Sequence, residues 1–112
     1  LLGLSYAQPI CGDPLRRPLI TRVLSVPAWR ARYEELLREL LAGAFDPALV
    51  AGDVETLAGL VRADVAADPT RFYPLADFET NLTQDLVRGT QTTFGLTSFA
   101  ERRQAALLGQ LP

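Results

Sequence analysis

The sequence contains no histidine and no lysine, and these two absences exclude much of the side-chain chemistry that enzymes use. Without histidine, the chain has neither a Ser-His nor a Cys-His pair for nucleophilic catalysis. Without lysine, no ammonium group can bind nucleotide phosphates, form a Schiff base or act as a base. A zinc site built from cysteine and histidine is also excluded, because Cys11 is the single cysteine.

The single cysteine and the missing methionine bear on how the chain is organised. Cys11 has no second cysteine with which to form an internal disulfide, so we expect it to be a small, half-buried hydrophobic residue. Because the sequence begins with leucine and contains no methionine, we expect a fragment or a processed form. Residues 1–7 are then either a short strand or extended segment of a larger fold, or the end of a signal peptide, with Ser5 and Ala7 at a small-x-small cleavage site.

The charge balance and the apolar content limit the partners. Eleven arginines stand against thirteen acidic residues, which gives a net charge of −2 and no basic surface for nucleic acid. Apolar residues make up 48% of the chain, but no run approaches the roughly 20 residues that span a bilayer. We therefore expect neither a nucleic-acid nor a membrane partner, and one small domain or part of a larger one.

The strongest helical pattern lies at residues 27–41. Apolar side chains recur there with the spacing of one helical face, at Trp29, Tyr33, Leu36, Leu37, Leu40 and Leu41. Pro27 suits the first position of a helix, and Gly43 is expected to end it in a left-handed conformation. Because Trp29 and Tyr33 carry the largest apolar areas, we predict that the helix docks through them.

Two more helices are predicted around this one. A short helix begins at Pro18 and ends before Pro27, which restricts Val26 to extended geometry. A longer helix extends from residue 47 to near residue 67, with Asp46 as its N-cap. Gly52 and the following Asp, itself a plausible cap, are expected to divide that helix into one turn and a main part.

The C-terminal half is predicted to hold two further helices. Apolar spacing predicts a helix over residues 74–86, and the polar residues 87–94 are expected to form a loop. The last helix starts either with a capping box formed by Ser98 and Glu101, or at Gly95 or Leu96. The sequence thus predicts an all-α fold, an irregular bundle of four main helices plus a short leading helix.

Two pairs of carboxylates, Glu35 with Glu39 and Asp64 with Asp68, are each one helical turn apart. Such pairs could hold a hard cation, but we expect solvated helix faces with ordinary arginine–glutamate pairs around Glu34. No glycine-rich phosphate loop is present in the sequence. No catalytic, cofactor-binding or metal-binding residue is therefore assigned.

Arginine and aromatic residues near the predicted helix ends form a possible interaction surface, which consists of Arg71, Phe72, Tyr73 and Arg102. The alternative is that the aromatic residues only close the end of the bundle. Residues 81–83 match a glycosylation acceptor, but Asn81 lies in a predicted helix, where glycan transfer is awkward.

Five stretches, in a fixed order, resemble the CotH (spore coat protein H) kinase-like family. Residues 18–33 follow the family pattern PLi-x-R-l-L-x-v-P-x-y-R-x-x-Y, and residues 37–45 follow lreLL-x-g-x-F. Residues 57–68, 78–82 and 95–99 match later family segments, the last of them followed by Arg102 and Arg103. Thr97 stands where the family has a basic residue.

The resemblance implies an atypical protein kinase, secreted or associated with the spore coat, that transfers phosphate from ATP to Ser or Thr of other proteins with a divalent metal. The family's nucleotide-binding lysine and acidic metal-binding motif lie upstream of the matched stretches, and this chain has neither. Residues 18–112 are thus expected to be the helical C-terminal part of the kinase-like fold. Residues 1–17 are a connector or the end of the upstream catalytic region.

ATP and metal are implied for the full-length family and not for this part of it. The expected partners are the upstream catalytic region and a protein substrate. The alternative, which does not depend on the resemblance, is a free-standing helical interaction module that uses Trp29, Tyr33, Phe72 and Tyr73 as contacts.

Overall fold

The computed structural model describes residues 2–9, 13 and 16–112, which form five helices and one small antiparallel sheet. The helices are α1 (Pro18–Ser25), α2 (Pro27–Ala42), α3 (Pro47–Ala67), α4 (Leu75–Thr83) and α5 (Leu96–Leu108). The strands are β1 (Leu86–Arg88) and β2 (Gln91–Thr93). The predicted helical fold class is confirmed, with the hairpin as an addition. Cys11 lies outside the described residues.

Proline begins each of the first three helices, as the sequence predicts. At α3, the Asp46 carboxylate accepts hydrogen bonds from the backbone N–H groups of Ala48 (2.9 Å) and Leu49 (3.4 Å). The predicted division of α3 at Gly52 is wrong, because the helix continues without a break to Ala67. A helix interior tolerates glycine at a cost of only about 1 kcal/mol.

Gly43 ends α2, but the predicted left-handed conformation is wrong. Its φ is −116°, and the end of the helix is closed by the Phe45 N–H, which donates to the Leu40 carbonyl at 2.9 Å. This bond satisfies a carbonyl that the last helical turn would otherwise leave unpaired.

Helix α4 ends at Thr83, and the residues predicted as a loop form a β-hairpin, so both predictions are corrected. Leu86 pairs with Thr93, and Arg88 pairs with Gln91. Gly89, the first of the two turn residues, has a φ of +59°, which glycine adopts without steric cost.

The capping box predicted at the start of α5 is also wrong. Gly95 is the N-cap and offers no side chain, while the Ser98 hydroxyl donates to the Asp85 carboxylate at 2.9 Å. The start at Gly95 or Leu96, which the sequence left open, is confirmed.

The core lies where the N-terminal residues 2–9, here named the strap, cross α2 and α5. Tyr6, Leu41 and Leu107 are buried there, and Tyr33 stacks on Tyr6 with the ring centroids 6.5 Å apart. The phenol of Tyr6 donates to Glu34 at 3.2 Å. The strap is irregular and forms no strand in residues 2–9.

The fold as a whole is elongated. Its radius of gyration is 17.7 Å, against about 13 Å for a compact domain of this length. Its accessible surface is 7867 Å², against roughly 6,100 Å² for a compact monomer of this mass. In the part of the chain that is described, no helix is long and apolar enough to cross a membrane.

The extra surface includes apolar side chains of the first three helices. Of the two residues through which α2 is predicted to dock, Tyr33 is half-buried against the core, whereas Trp29 is 57% exposed and does not dock on the described residues. Other exposed apolar side chains of these helices include Leu19, Leu36, Leu40, Leu57, Leu60 and Val61.

Candidate functional site

A cleft of about 580 Å³ lies between the end of α3, the loop 68–74, α4, the hairpin and the start of α5. Binding pockets for ligands commonly have volumes in this range. We name it the hairpin cleft. It is lined by Val65, Arg71, Phe72, Tyr73, Asp77, Phe78, Asn81, Leu82, Leu86, Arg88, Gln91, Thr93 and Leu96.

Helical and strand periodicity together explain which residues line the cleft. On α4, residues 77, 78, 81 and 82 share one face because positions four apart are neighbours on a helix. On the hairpin, the cross-strand pairs Leu86–Thr93 and Arg88–Gln91 face the cleft. Val87 lies between them in sequence, is 68% exposed and belongs to the opposite face of the pleat.

The rim of the cleft is the loop that holds three of the four residues predicted as an interaction surface. The Nη1 atom of Arg71 donates hydrogen bonds to the carbonyls of both Ala66 (2.9 Å) and Asp68 (3.2 Å). These bonds hold the loop against the end of α3. Phe72 is 96% exposed, and Tyr73 is 62% exposed. The structure thus places Arg71, Phe72 and Tyr73 together at this rim.

A turn within this loop is closed by Asp68. Its carboxylate accepts hydrogen bonds from the Thr70 hydroxyl (2.7 Å) and the Thr70 N–H (2.8 Å). These two bonds hold the pKa of Asp68 below its usual value, because they favour the charged form. The carboxylate is therefore used in shaping the rim.

The charged pair of the cleft consists of Arg88 and Asp77. Their side chains form an ion pair between the hairpin and the first turn of α4. The Arg88 guanidinium also lies over the Tyr73 ring, 4.7 Å from its centroid, in a cation–π contact. Arg88 thereby connects the hairpin, α4 and the rim loop.

Asn81 joins α4 to the hairpin. Its side-chain amide donates to the carbonyls of Gln84 and Thr93, both at 3.1 Å. The amide nitrogen is also the atom to which a glycan would be attached, so in this fold the acceptor sequence serves a structural role.

Arg102, the fourth predicted residue, does not line the cleft. It donates to Asp85 at 2.7 Å and lies over the Phe94 ring at 5.2 Å. The other Asp85 oxygen accepts from the Gly95 N–H and the Ser98 hydroxyl, each at 2.9 Å. The pKa of Asp85 is lowered below its usual value by these contacts. The largest effect comes from the Gly95 N–H, followed by the Ser98 hydroxyl, and Arg102 also contributes.

Three of the four carboxylates considered as cation ligands have other partners. Arg32 donates to Glu35 at 2.6 Å and lies 3.8 Å from Glu39, while Asp68 shapes the rim loop. Among residues 2–9, 13 and 16–112, no group of three or more His, Cys, Asp or Glu side chains could hold a metal ion. The lining of the cleft itself combines apolar side chains with two arginines and one aspartate.

Four polar residues of the cleft were missed by the sequence reasoning: Asp77, Arg88, Gln91 and Thr93. The signal that could have found the last three is the Gly-Thr pair at 89–90 between two short stretches, of which the second is rich in threonine. Two residues beginning with glycine favour a tight hairpin turn.

The order of the elements can now be compared with known families. A model of the CotH kinase protein family matches residues 6–106. The chain belongs to the CotH kinase protein family. The match covers the first four helices, the hairpin, most of α5 and part of the strap of this CotH family member, and it confirms the resemblance seen in five stretches. No curated protein and no solved structure matches the chain.

Proposed function

We propose that this CotH family chain is the C-terminal helical scaffold of an atypical protein kinase. In this role it packs against an upstream catalytic region that transfers phosphate from ATP to Ser or Thr of spore-coat or secreted proteins. The observation that carries the proposal is the uncovered apolar surface of the first three helices in a chain that belongs to this family.

The amount of surface supports a large docking partner. The chain exposes roughly 1,800 Å² more than a compact monomer of its mass, and a standard interface buries about 800 Å² per partner. Monomeric proteins rarely leave large apolar patches uncovered. Trp29 and Leu36, which are 57% and 46% exposed, are the anchors that we assign to this docking surface.

The residue inventory supports a division of labour between the two regions. Phosphoryl transfer depends on metal ions and on cations that position the phosphates. This chain offers no lysine and no histidine, and its described residues hold no metal cluster. ATP and the divalent metal therefore belong, in this proposal, to the upstream region, while these helices hold that region in place.

The test compares one substitution in two contexts. Trp29→Glu is made in the 112-residue chain and in the protein expressed from its complete gene. Because Trp29 is exposed, the short chain should keep its melting temperature, whereas the complete protein should lose phosphoryl transfer and melt at a lower temperature. Val87→Glu is the matched control, because Val87 is also mostly exposed (68%) but lies on the back of the hairpin.

Two results would contradict the scaffold role. One is phosphoryl transfer by the 112-residue chain alone with Mg²⁺ and ATP. The other is a complete protein in which Trp29→Glu and Val87→Glu have the same small effect.

A second candidate function is a free-standing interaction module, and the exposure of Phe72 and Tyr73 at the rim of the hairpin cleft favours it. A module of this kind should unfold cooperatively in urea and stay monomeric. A supporting lobe without its partner should instead aggregate or bind hydrophobic dyes, because its docking surface is uncovered.

A further inference from the structure

We infer that the hairpin cleft binds an extended acidic peptide of a partner protein, with apolar side chains on the cleft floor and carboxylates beside Arg71 and Arg88. This inference goes beyond the proposed scaffold role, because the cleft lies at the hairpin and the docking surface lies on the first three helices. It holds or fails independently of phosphoryl transfer.

The floor of the cleft provides the apolar part of the site. Val65, Phe78, Leu82 and Leu86 come from three different elements and are buried or half-buried. Phe72 at the rim is 96% exposed, so its ring is accessible to a bound side chain. Aromatic residues at the edge of a pocket are frequent anchors in protein recognition.

The charge of the cleft selects the peptide. The chain as a whole has a net charge of −2, but the cleft holds two guanidinium groups and one carboxylate. Arg71 donates to backbone carbonyls through Nη1, and its other nitrogens donate to no group among the described residues. The planar guanidinium is the cation best suited to bind a carboxylate with two parallel hydrogen bonds.

Arg88 is held in place by more than its ion pair. The Tyr73 ring lies 4.7 Å from the guanidinium, so the group stays at the cleft when its carboxylate partner changes. Arg88 is about half exposed, which lets an incoming carboxylate share it with Asp77. Asp77 therefore competes with the carboxylates of the peptide for Arg88, and removing the Asp77 charge should strengthen peptide binding.

An extended ligand suits the shape of the lining. Two of the lining elements are strands of a sheet that has two strands in the described part of the chain. One face of this sheet lines the cleft, so an extended peptide can contact side chains of both strands at once. A peptide therefore fits the site better than a compact small molecule.

The experiment uses three fluorescein-labelled peptides and the protein expressed from its complete gene. The peptides share a Phe-Leu half and differ in the other half, which is four Glu, four Gln or four Lys. Fluorescence anisotropy should show that the Glu peptide binds at least about tenfold more tightly than the Gln peptide, a difference of about 1.4 kcal/mol. The Lys peptide should bind most weakly, and salt should weaken only the Glu complex.

Variants then assign the binding to the cleft. The double substitution Arg71→Gln with Arg88→Gln should abolish the preference for the Glu peptide, and Asp77→Asn should strengthen Glu-peptide binding several-fold. The matched control is Arg32→Gln on α2, which removes an exposed guanidinium far from the cleft in sequence and should change nothing. Because Asp77→Asn is expected to improve binding, a variant that merely damages the fold cannot imitate the expected result.

Three outcomes would overturn the inference. They are equal binding of the Glu, Gln and Lys peptides, no binding of the Glu peptide at millimolar concentration, and a Glu-peptide affinity that Asp77→Asn weakens. If Trp29→Glu leaves phosphoryl transfer unchanged while these peptide affinities are as expected, only the proposed scaffold role is contradicted.

Discussion

Gly95 lies so close to the backbone of Gln84 that no side chain fits between them. A Cβ atom at position 95 would be 2.6 Å from the backbone nitrogen and carbonyl carbon of Gln84. The φ of Gly95 is −65°, which any residue can adopt, so the requirement for glycine is purely one of space. This contact fixes the end of α4 against the start of α5, on either side of the hairpin.

Gly95→Ala should therefore destabilise the fold. Forcing a methyl group against backbone costs about 1–3 kcal/mol, because the two segments must move apart. Urea unfolding measures this loss. Gly59→Ala is the control, and it should change the free energy of unfolding in the opposite direction. Nothing lies within 4 Å of a Cβ atom at position 59, so alanine should stabilise α3 by up to about 1 kcal/mol. A Gly95→Ala protein as stable as the original would contradict the close contact.

Leu41 should be the most sensitive position of the core. It is 1% exposed, and Leu41→Ala removes a side chain that packs with Tyr6 and Leu107, at a cost of about 2–5 kcal/mol. Its neighbour Leu40 is 48% exposed, so Leu40→Ala should cost less than about 1 kcal/mol in the same urea experiment. Equal losses at the two positions would mean that the strap does not form the core described here.

Local signals made the helices predictable. Pro18, Pro27 and Pro47 each begin a helix, and Asp46 caps one, because these effects depend on residues within a single turn. The exposure of Trp29 was not predictable from the same pattern. An amphipathic face shows that a helix has an apolar side, but it does not show whether the covering surface belongs to the same chain.

The hairpin and half of the candidate site escaped prediction because they depend on contacts between distant residues. Asp77 and Arg88 are eleven residues apart, and their pairing needs the chain to reverse after Thr83 so that β1 lies beside α4. Arg71, Phe72 and Tyr73 were grouped because arginine and aromatic residues adjoin in the sequence, and all three line the hairpin cleft. Arg102 was grouped with them by residue type, although the fold places it beside Asp85.

Asp85 should make the stability of the fold depend on pH in the acidic range. Hydrogen bonds from Gly95, Ser98 and Arg102 lower its pKa in the folded state below the ordinary value of 3.8. The folded state thus binds fewer protons than the unfolded state near that pH, so this stabilisation is complete above pH 4 and is lost as the pH falls through the folded-state pKa. Asp85→Asn should lower the melting temperature at pH 7 and flatten its decline below pH 4.

Ser98→Ala tests the cause of that pKa shift. It leaves the carboxylate but removes one of its donors, so the pKa of Asp85 should rise toward its ordinary value. Melting temperatures between pH 2 and pH 7 should then lie between those of the original chain and Asp85→Asn. An acid profile that is unchanged in both variants would show that other carboxylates cause the decline.

The strap should be released by a substitution on α5. Arg103 donates to the carbonyls of Leu2 (2.7 Å) and Leu4 (2.8 Å), so Arg103→Met keeps the aliphatic stem but leaves both carbonyls without this donor. Hydrogen exchange should become faster in residues 2–9 and stay unchanged in α3. Loss of charge-assisted bonds of this kind costs about 1.5–3 kcal/mol.

The pKa of the Tyr33 phenol provides a second, independent measurement on the Arg103→Met variant. Burial raises the pKa of the Tyr33 phenol, and the nearby Arg103 guanidinium partly opposes that rise. Because Arg103→Met also releases the strap, whose Tyr6 ring stacks on Tyr33, the phenol should lose burial and its pKa should fall toward its ordinary value, as measured by ultraviolet difference absorbance. Arg103→Lys should preserve most of the original value. Arg38→Met is the control, because Arg38 donates to the carbonyl of Pro112 and leaves the strap bonds intact. Faster exchange in the strap with Arg38→Met, or none with Arg103→Met, would show that Arg103 does not hold it.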